Sequence, residues 1–308
     1  DRPPTVAPSD ARLVAGYREA MAFVLRRADA AAFSWHRELI IAIHDHVLGG
    51  SFALGAGDFR RRMVFVGSAE RGIVYEPPAP EQVASEVDAL TDWLAQAEGS
   101  RQPAPLRAAL AHLRLAAIHP LADGNGRTAR ILAPLVMVRG GYRRPEFTSL
   151  EEWWGRHQQA YYAAFDCLGP KWAADADVTG FVETHVKAQV AQVEALSLRH
   201  ATERAVWTVL EDLVTEDLGA LPRLADALFD AFFGRTVTNR YYRSLSDVGA
   251  ATAAGDLGRL STAGLLATVG AGRSTTYLGT PLLIRRVAEA AGLQAPDERA
   301  PLEAQRAA

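Results

Sequence analysis

A lone cysteine, Cys167, leaves a chain of 308 residues without a partner for an internal disulfide. That excludes the small disulfide-stapled secreted class and suits a reducing compartment. Cys167 itself reads as a packed thiol rather than a nucleophile. Long apolar runs are missing too: nothing approaches the roughly 20 residues a membrane-spanning helix needs, and residues 1–30 lack the apolar centre of a signal peptide. No sign of charge dominates. With 33 Lys and Arg against 36 Asp and Glu, net −3, the chain is no strongly basic nucleic-acid binder, although a local basic patch stays open. The expected setting is cytoplasmic, with no membrane partner. Position 1 is Asp rather than Met, so a trimmed or processed product is expected. The length and 49% hydrophobic content support about two domains.

What is present concentrates in twelve residues, His119 to Arg130, with the sequence HPLADGNGRTAR. Upstream, Leu106, Leu110, Leu113 and Ala117 form a helical stripe, and Pro120 disfavours helical geometry at His119, which places His119 at a helix end. Gly124 and Gly126 free the backbone for positive φ and for close approach to a ligand, and TARILAPLVMV continues as a second, apolar helix. A glycine loop opening a helix is an anion site, because unpaired N–H groups and the positive end of the helix dipole face the ligand. Arg127 and Arg130 occupy the first turns, where that dipole repels them unless an anion is bound. Three residues apart, they share one face and can clamp a polyphosphate. Asp123 adds a hard oxygen ligand suited to Mg²⁺.

This stretch resembles the signature of the Fic family: histidine, proline, an acidic residue, a Gly-Asn-Gly-Arg loop and a second arginine at these spacings. The resemblance implies transfer of AMP from ATP to a protein hydroxyl, with release of pyrophosphate. His119 would be the general base and Asp123 the Mg²⁺ ligand. Gly124, Asn125 and Gly126 would bind the α-phosphate, while Arg127 and Arg130 would hold the β- and γ-phosphates. His119, Asn125 and Arg127 would thus form the catalytic set. Leu121 stands where the family usually has Phe, and Pro134 is expected to kink the second helix. Transfer of UMP or phosphocholine, or removal of AMP, uses the same motif and remains an alternative.

Around this centre the chain reads as mainly α. Residues 1–10 form a proline-rich lead-in, helices follow over about 11–30 and 34–50, and another helix carries Val83, Val87, Leu90 and Leu94 on one stripe. His36, His44 and His46 offer no closed ligand set, so surface or cap roles are expected. Residues 59–76 change period, with MVFV and GIVYE flanking Ser68, Glu70 and Gly72, and read as a β-hairpin. Arg60, Arg61 and Arg62 read as its solvated entry. Fic proteins carry a hairpin flap beside the active site, which implies that a target protein docks there by main-chain pairing. Gly140 and Gly141 close the second motif helix. Ser149 and Glu152 suggest a capping box opening one helix through Leu168. Tyr161 and Tyr162 lie on it, as core aromatics or, by the resemblance, as walls of the ATP pocket. Residues 176–199 form a further helix.

The resemblance covers about residues 11–198, and the expected division is a catalytic domain at 1–198, a winged helix-turn-helix-like domain at 199–285 and a tail at 286–308. The second domain resembles modules behind many bacterial Fic domains. Its reading helix opens with Ala250, Ala251, Thr252, Ala253 and Ala254, and Arg259 and Arg273 sit where they reach phosphates at most. Docking or support of a homodimer is therefore preferred over a DNA-binding regulator. Many Fic proteins are held inactive by a Ser/Thr-x-x-x-Glu-Gly/Asn helix whose glutamate pairs with the second motif arginine. Ser34 to Glu38 supplies the first half, but Leu39 follows, so no such motif is assigned and Arg130 is expected to be free for ATP.

Overall fold

The computed structural model describes residues 8–50, 57–68 and 72–293. The start of the proline-rich lead-in, the hairpin tip with Glu70 and the tail from Pro296 lie outside them. Chain contacts divide the protein into two units, Asp1–Leu196 and Ser197–Ala308.

The first unit is a helical assembly built on α1 (Pro8–Ala28), α2 (Arg37–Val47), α3 (Pro80–Glu98), α4 (Ala104–Ile118) and α5 (Asn125–Arg139). The helix α1 begins inside the stretch read as lead-in. Helix α5 is the central rod: Thr128, Ala129 and the whole run Ile131–Val138 are buried. A helix apolar on every side must be surrounded by others. Against it lie α4 with Ala108, Ala111, Leu115 and Ile118, α2 with Ile40 and Ile43, and α1 with Ala20 and Val24, while Val83, Val87, Leu90 and Leu94 of α3 join the same core by packing on α4 and α2. Each large aliphatic side chain buried here contributes about 1.5–3 kcal/mol relative to exposure. Leu106 and Leu110 lie only at the rim, because the small residues of α4 let its Ala108 and Ala111 face approach α5 instead. Pro134 sits within α5 without ending it.

The hairpin consists of β1 (Val66–Ser68) and β2 (Gly72–Tyr75), antiparallel, with Val66 opposite Tyr75 and an irregularity between Val66 and Gly67. Only Val66 of the MVFV run is in a strand. Gly67 is required where the strands meet, since a Cβ there would lie 2.1 Å from the Gly72 carbonyl oxygen.

Beyond α5, the single helix expected over residues 149–168 is broken. After a short α6 (Pro145–Thr148) it becomes α7 (Glu151–Arg156), α8 (Gln158–Ala163) and a 3₁₀ turn at Ala164–Leu168. Ser149 makes no cap: it is extended at the end of α6, and Leu150 precedes α7. The break falls at His157, whose Nδ1 lies 2.8 Å from the Trp153 carbonyl and whose ring stacks on Trp153 at 4.2 Å. A second core of Leu150, Trp154 and Tyr161 forms against Ala188 of α9 (Thr179–Asp212). His112 and His185 lie within it, both buried. The helices expected at 176–199 and around Val206 are one, because nothing in LSLRHATERA interrupts helical geometry.

The second unit packs Val206, Leu210, Leu228, Tyr242, Leu257 and Leu260 in its own core. Its elements run α10 (Leu224–Phe232), β3 (Val237–Thr238), α11 (Asn239–Ser246), α12 (Ala250–Thr262), β4 (Leu266–Val269), β5 (Thr276–Gly279) and α13 (Pro281–Ala290), with sheet order β3-β5-β4. The helix α13 runs past residue 286. Arg259 donates to the Leu218 and Gly219 carbonyls, so its charge is engaged within the unit.

Burial holds the His185 imidazole at a pKa of about 4 against an ordinary 6.5, and burial likewise lowers His112. Between these limits the unfolded chain binds more protons than the folded one, so stability is lost as pH falls from 6.5 towards 4. The drop at His185 corresponds to on the order of 3 kcal/mol. Urea unfolding at pH 7 and pH 4.5 is expected to show a loss of that order, and His185→Leu should remove much of the pH dependence.

Candidate active site

His119 terminates α4 in left-handed geometry, φ 50° and ψ 54°, which costs a residue with a Cβ about 1–2 kcal/mol. Three hydrogen bonds from two residues hold it there. The Arg60 Nε donates to the His119 carbonyl at 2.8 Å, the Arg60 amide donates to the Pro120 carbonyl at 2.9 Å, and the Tyr75 hydroxyl donates to the Ala117 carbonyl at 3.0 Å. Arg60 also donates to the carbonyls of Arg62 and Pro78 and is only 5% exposed. The expectation of a solvated arginine run is therefore wrong for this residue. A guanidinium offers five donors in a fixed fork, and here the fork ties the hairpin's entry to the end of α4. The His119 Nδ1 lies 3.2 Å from the Ala116 carbonyl, which can only accept, so Nδ1 carries the proton and Nε2 holds the lone pair. Burial lowers its pKa, with Arg60 adding to the fall while the Ala116 carbonyl and Asp123 act the other way. A neutral imidazole with a free Nε2 lone pair is a competent proton acceptor.

After Pro120 the chain turns on Leu121, fully buried, and on Asn125. The Asn125 amide closes the turn on itself: Oδ1 accepts from the Leu121 N–H at 2.9 Å and Nδ2 donates to the Leu121 carbonyl at 2.8 Å. Its side chain is thus spent on loop shape, and what Asn125 offers a ligand is its main chain. Gly124 takes φ 80° just ahead of α5. Its amide donates to Asp123 Oδ1 at 2.6 Å. Thr128 N donates to the Gly124 carbonyl at 2.9 Å, so the amides of Asn125, Gly126 and Arg127 precede the helical ladder and point outwards as at any helix start.

The two arginines are already neutralised. Arg127 Nη2 donates to Asp123 Oδ2 at 3.1 Å, while its Nη1 is buried without a hydrogen-bond partner. Arg130 Nε donates to Glu151 Oε1 at 2.6 Å and its Nη1 to the Tyr161 hydroxyl at 3.2 Å, with the guanidinium 5.6 Å above the Tyr161 ring. Burial opposes the Arg130 charge, but the Tyr161 and Glu151 oxygens more than offset this and its pKa is raised. The expectation of a free Arg130 is corrected accordingly. Tyr17 of α1 donates to the same Glu151 oxygen at 3.0 Å, and its own pKa is raised well above normal, by burial first and then by Glu151. Gly126 leaves room for this arrangement, since a Cβ there would lie 3.2 Å from Arg130 Nη1.

Tyr161 is buried and its hydroxyl also lies 3.2 Å from His112 Nε2, whereas Tyr162 is 65% exposed and meets the Tyr161 ring at 5.3 Å. His44 of α2 is fully buried, contrary to the surface or cap role expected, and its Nε2 lies 3.0 Å from the Asp123 carbonyl. Its pKa is lowered by burial above all. His44 lies 79 residues from Asp123 in the sequence, and only its place on the apolar face with Ile40, Ile43 and Val47 hinted that it is buried. Glu151 and Arg60 were likewise illegible as site residues, being separated from the motif by 21 and 59 positions.

The model of the Fic/DOC family matches residues 34–137. Among curated proteins, the chain is 42% identical over 107 residues to "Protein adenylyltransferase Fic" of Nematostella vectensis, a match covering 33% of this chain and 23% of that one. It is 39% identical over 104 residues to "Protein adenylyltransferase fic-1" of Caenorhabditis elegans, covering 33% and 19%. The matched stretch thus spans less than a quarter of these relatives' length. Among solved structures, a Fic domain containing signaling protein from Bacteroides thetaiotaomicron superposes with a TM-score of 0.53 at 21% identity, over 64% of this chain and 74% of that one, and agrees in fold. Residues 34–137 of this chain thus match the Fic/DOC family, and the match extends over about a third of the chain.

Proposed function

We propose that the protein is an adenylyltransferase that moves AMP from ATP to a hydroxyl side chain of a target protein, with pyrophosphate leaving. The observation that carries this reading is the juxtaposition of a neutral histidine at the end of α4 with a glycine-opened helix start that holds two arginines. The Fic/DOC family model spans this stretch, and relatives named as protein adenylyltransferases are 42% and 39% identical over 107 and 104 residues of the chain.

In this reading the Nε2 of His119 accepts the proton of the incoming hydroxyl. The outward amides of Asn125, Gly126 and Arg127 bind the α-phosphate, where charge builds as the new bond forms. Arg127 meets the leaving phosphates with the donor that lacks a partner, and Arg130 exchanges Glu151 for the terminal phosphate. The side chain of Asn125 acts by shaping the loop. Tyr161 supports Arg130, and Tyr162 flanks it on the exposed side.

Asp123 fits a Mg²⁺ site. Its carboxylate is 55% exposed, so its oxygens can reach an ion that nucleotide phosphates and water would also ligate. The ion would supply charge neutralisation on those phosphates, while Asp123 also restrains Arg127 and the Gly124 amide.

For the target we propose an extended segment that pairs with the hairpin, on which Phe65, Ile73 and Val74 are exposed. For the second unit we propose a docking or dimer-supporting role, because α12 opens with exposed Ala250, Ala251 and Thr252 rather than base-reading side chains. Among the described residues no helix is long and apolar enough to cross a membrane.

Incubation with labelled ATP, UTP and CDP-choline tests the donor directly: label from ATP alone should enter protein, and label from CDP-choline alone would overturn the reading. His119→Ala should abolish transfer while ATP still binds, because the base acts on the chemical step. Since the His119 pKa is lowered, the acid limb of kcat/KM should lie below the ordinary 6.5, activity falling only when pH drops through that lowered value. Arg130→Ala should weaken ATP relative to ADP by on the order of 1.5–3 kcal/mol, less the cost of displacing Glu151 in the parent, read by calorimetric titration of both nucleotides.

A further inference from the structure

The peptide between Asp123 and Gly124 is the point at which the anion loop is most easily spoiled. Its amide and its carbonyl project in opposite directions. Rotation of this one unit by half a turn exchanges a donor for an acceptor on the loop face, and a carbonyl oxygen there repels phosphate. Residue 124 does not oppose the rotation, because glycine accepts φ of either sign. At φ 80° it occupies one of two accessible states.

Two contacts hold the unit. On the amide side, Gly124 N donates to Asp123 Oδ1 at 2.6 Å. That carboxylate is 55% exposed and shared with Arg127, so it is a weak and divertible anchor. On the carbonyl side, Asp123 O lies 3.0 Å from Nε2 of His44. A carbonyl only accepts, so Nε2 bears the hydrogen and Nδ1 is left with a buried lone pair. Nδ1 is indeed buried and without a hydrogen-bond partner. Burying an unpaired polar atom costs stability, which a leucine at this position would avoid. The ring also packs closely on the loop: a Cβ on Gly124 would meet its Cδ2 at 3.4 Å.

We propose that His44 is a positioning residue that latches the Asp123–Gly124 peptide, keeping its carbonyl turned into the core and the loop's amides turned towards the nucleotide phosphates. The proposal rests on the adenylyltransferase reading for the identity of the anion, not for the latch itself. When Asp123 turns its carboxylate to a cation, His44 is the contact that remains on the peptide.

Calorimetric titration of ATP with Mg²⁺ into the parent protein, His44→Leu and His44→Gln, with thermal unfolding of each, tests it. His44→Leu should fold with an unreduced Tm yet bind ATP about ten-fold more weakly. His44→Gln, whose amide nitrogen can donate to the same carbonyl, should recover to within about threefold of the parent. Parent-like affinity in His44→Leu overturns the latch, and so does an equal loss in both variants. A measurement on the parent does not depend on how the variants fold: ¹⁵N spectra of the His44 ring should show the Nε2–H tautomer, and an Nδ1–H tautomer overturns the proposal. If the parent binds no ATP, the adenylyltransferase reading falls, while the tautomer still decides the latch.

Discussion

Two guanidinium groups sit in the first turns of α5, the end of a helix where positive charge is least favoured. Much of the surrounding structure can be understood as an answer to that constraint. Asp123 and Glu151 supply one carboxylate to each arginine, Tyr17 steadies Glu151 from α1, and Tyr161 places both a hydroxyl and a ring against Arg130. Neither pair is solvent-open enough to dismiss nor buried enough to be permanent: the arginine side chains are 19% and 22% exposed, their partners 55% and 38%. Ion pairs of this kind restrain geometry while remaining exchangeable for a better anion. A polyphosphate bound as proposed would replace the Glu151 contact at Arg130, so its net gain there is a difference between two similar interactions, while at Arg127 it would also meet a donor that has no partner.

The twelve-residue motif was legible because its chemistry and its punctuation coincide in sequence. Pro120 after His119 marks a helix end, Gly124 marks a positive φ, and Arg127 and Arg130 fall on one face of the next helix; the structure realises each. The hairpin was legible from β-branched and aromatic residues, although only Val66 of its first apolar run pairs. What failed was of two kinds. Local geometry misled at Ser149, where a capping pattern is present but α6 and the His157 break absorb the segment. Long-range burial was invisible elsewhere: Arg60 looks like the middle of a basic run and His44 like one of several surface imidazoles, yet tertiary contact makes one a triple carbonyl clamp and the other a core residue. No spacing rule reports which side of a short helix or loop will meet the motif 59 or 79 residues later.

Those two residues share a task. Arg60 and His44 each hydrogen-bond a main-chain carbonyl next to the chemistry, of His119 and Asp123 respectively, and neither is placed to touch a substrate through the atoms so engaged. The loop has few side chains of its own with which to hold its shape, since Gly124 and Gly126 contribute none and Asn125 is spent on Leu121. Rigidity is therefore supplied from α2 and from the hairpin entry, which couples the flap's footing to the geometry of the histidine.

The left-handed backbone at His119 has a different implication, one about sequence drift. Glycine, or failing that asparagine, suits φ 50° better than any residue with a bulkier Cβ substituent. Histidine is there against the preference of its own main chain, held by the clamps on its carbonyl and on those beside it. If His119 is the proton acceptor proposed, a variant freed of that task would gain stability by exchanging it for glycine, or less so for asparagine, so the histidine is held there by use and not by its backbone.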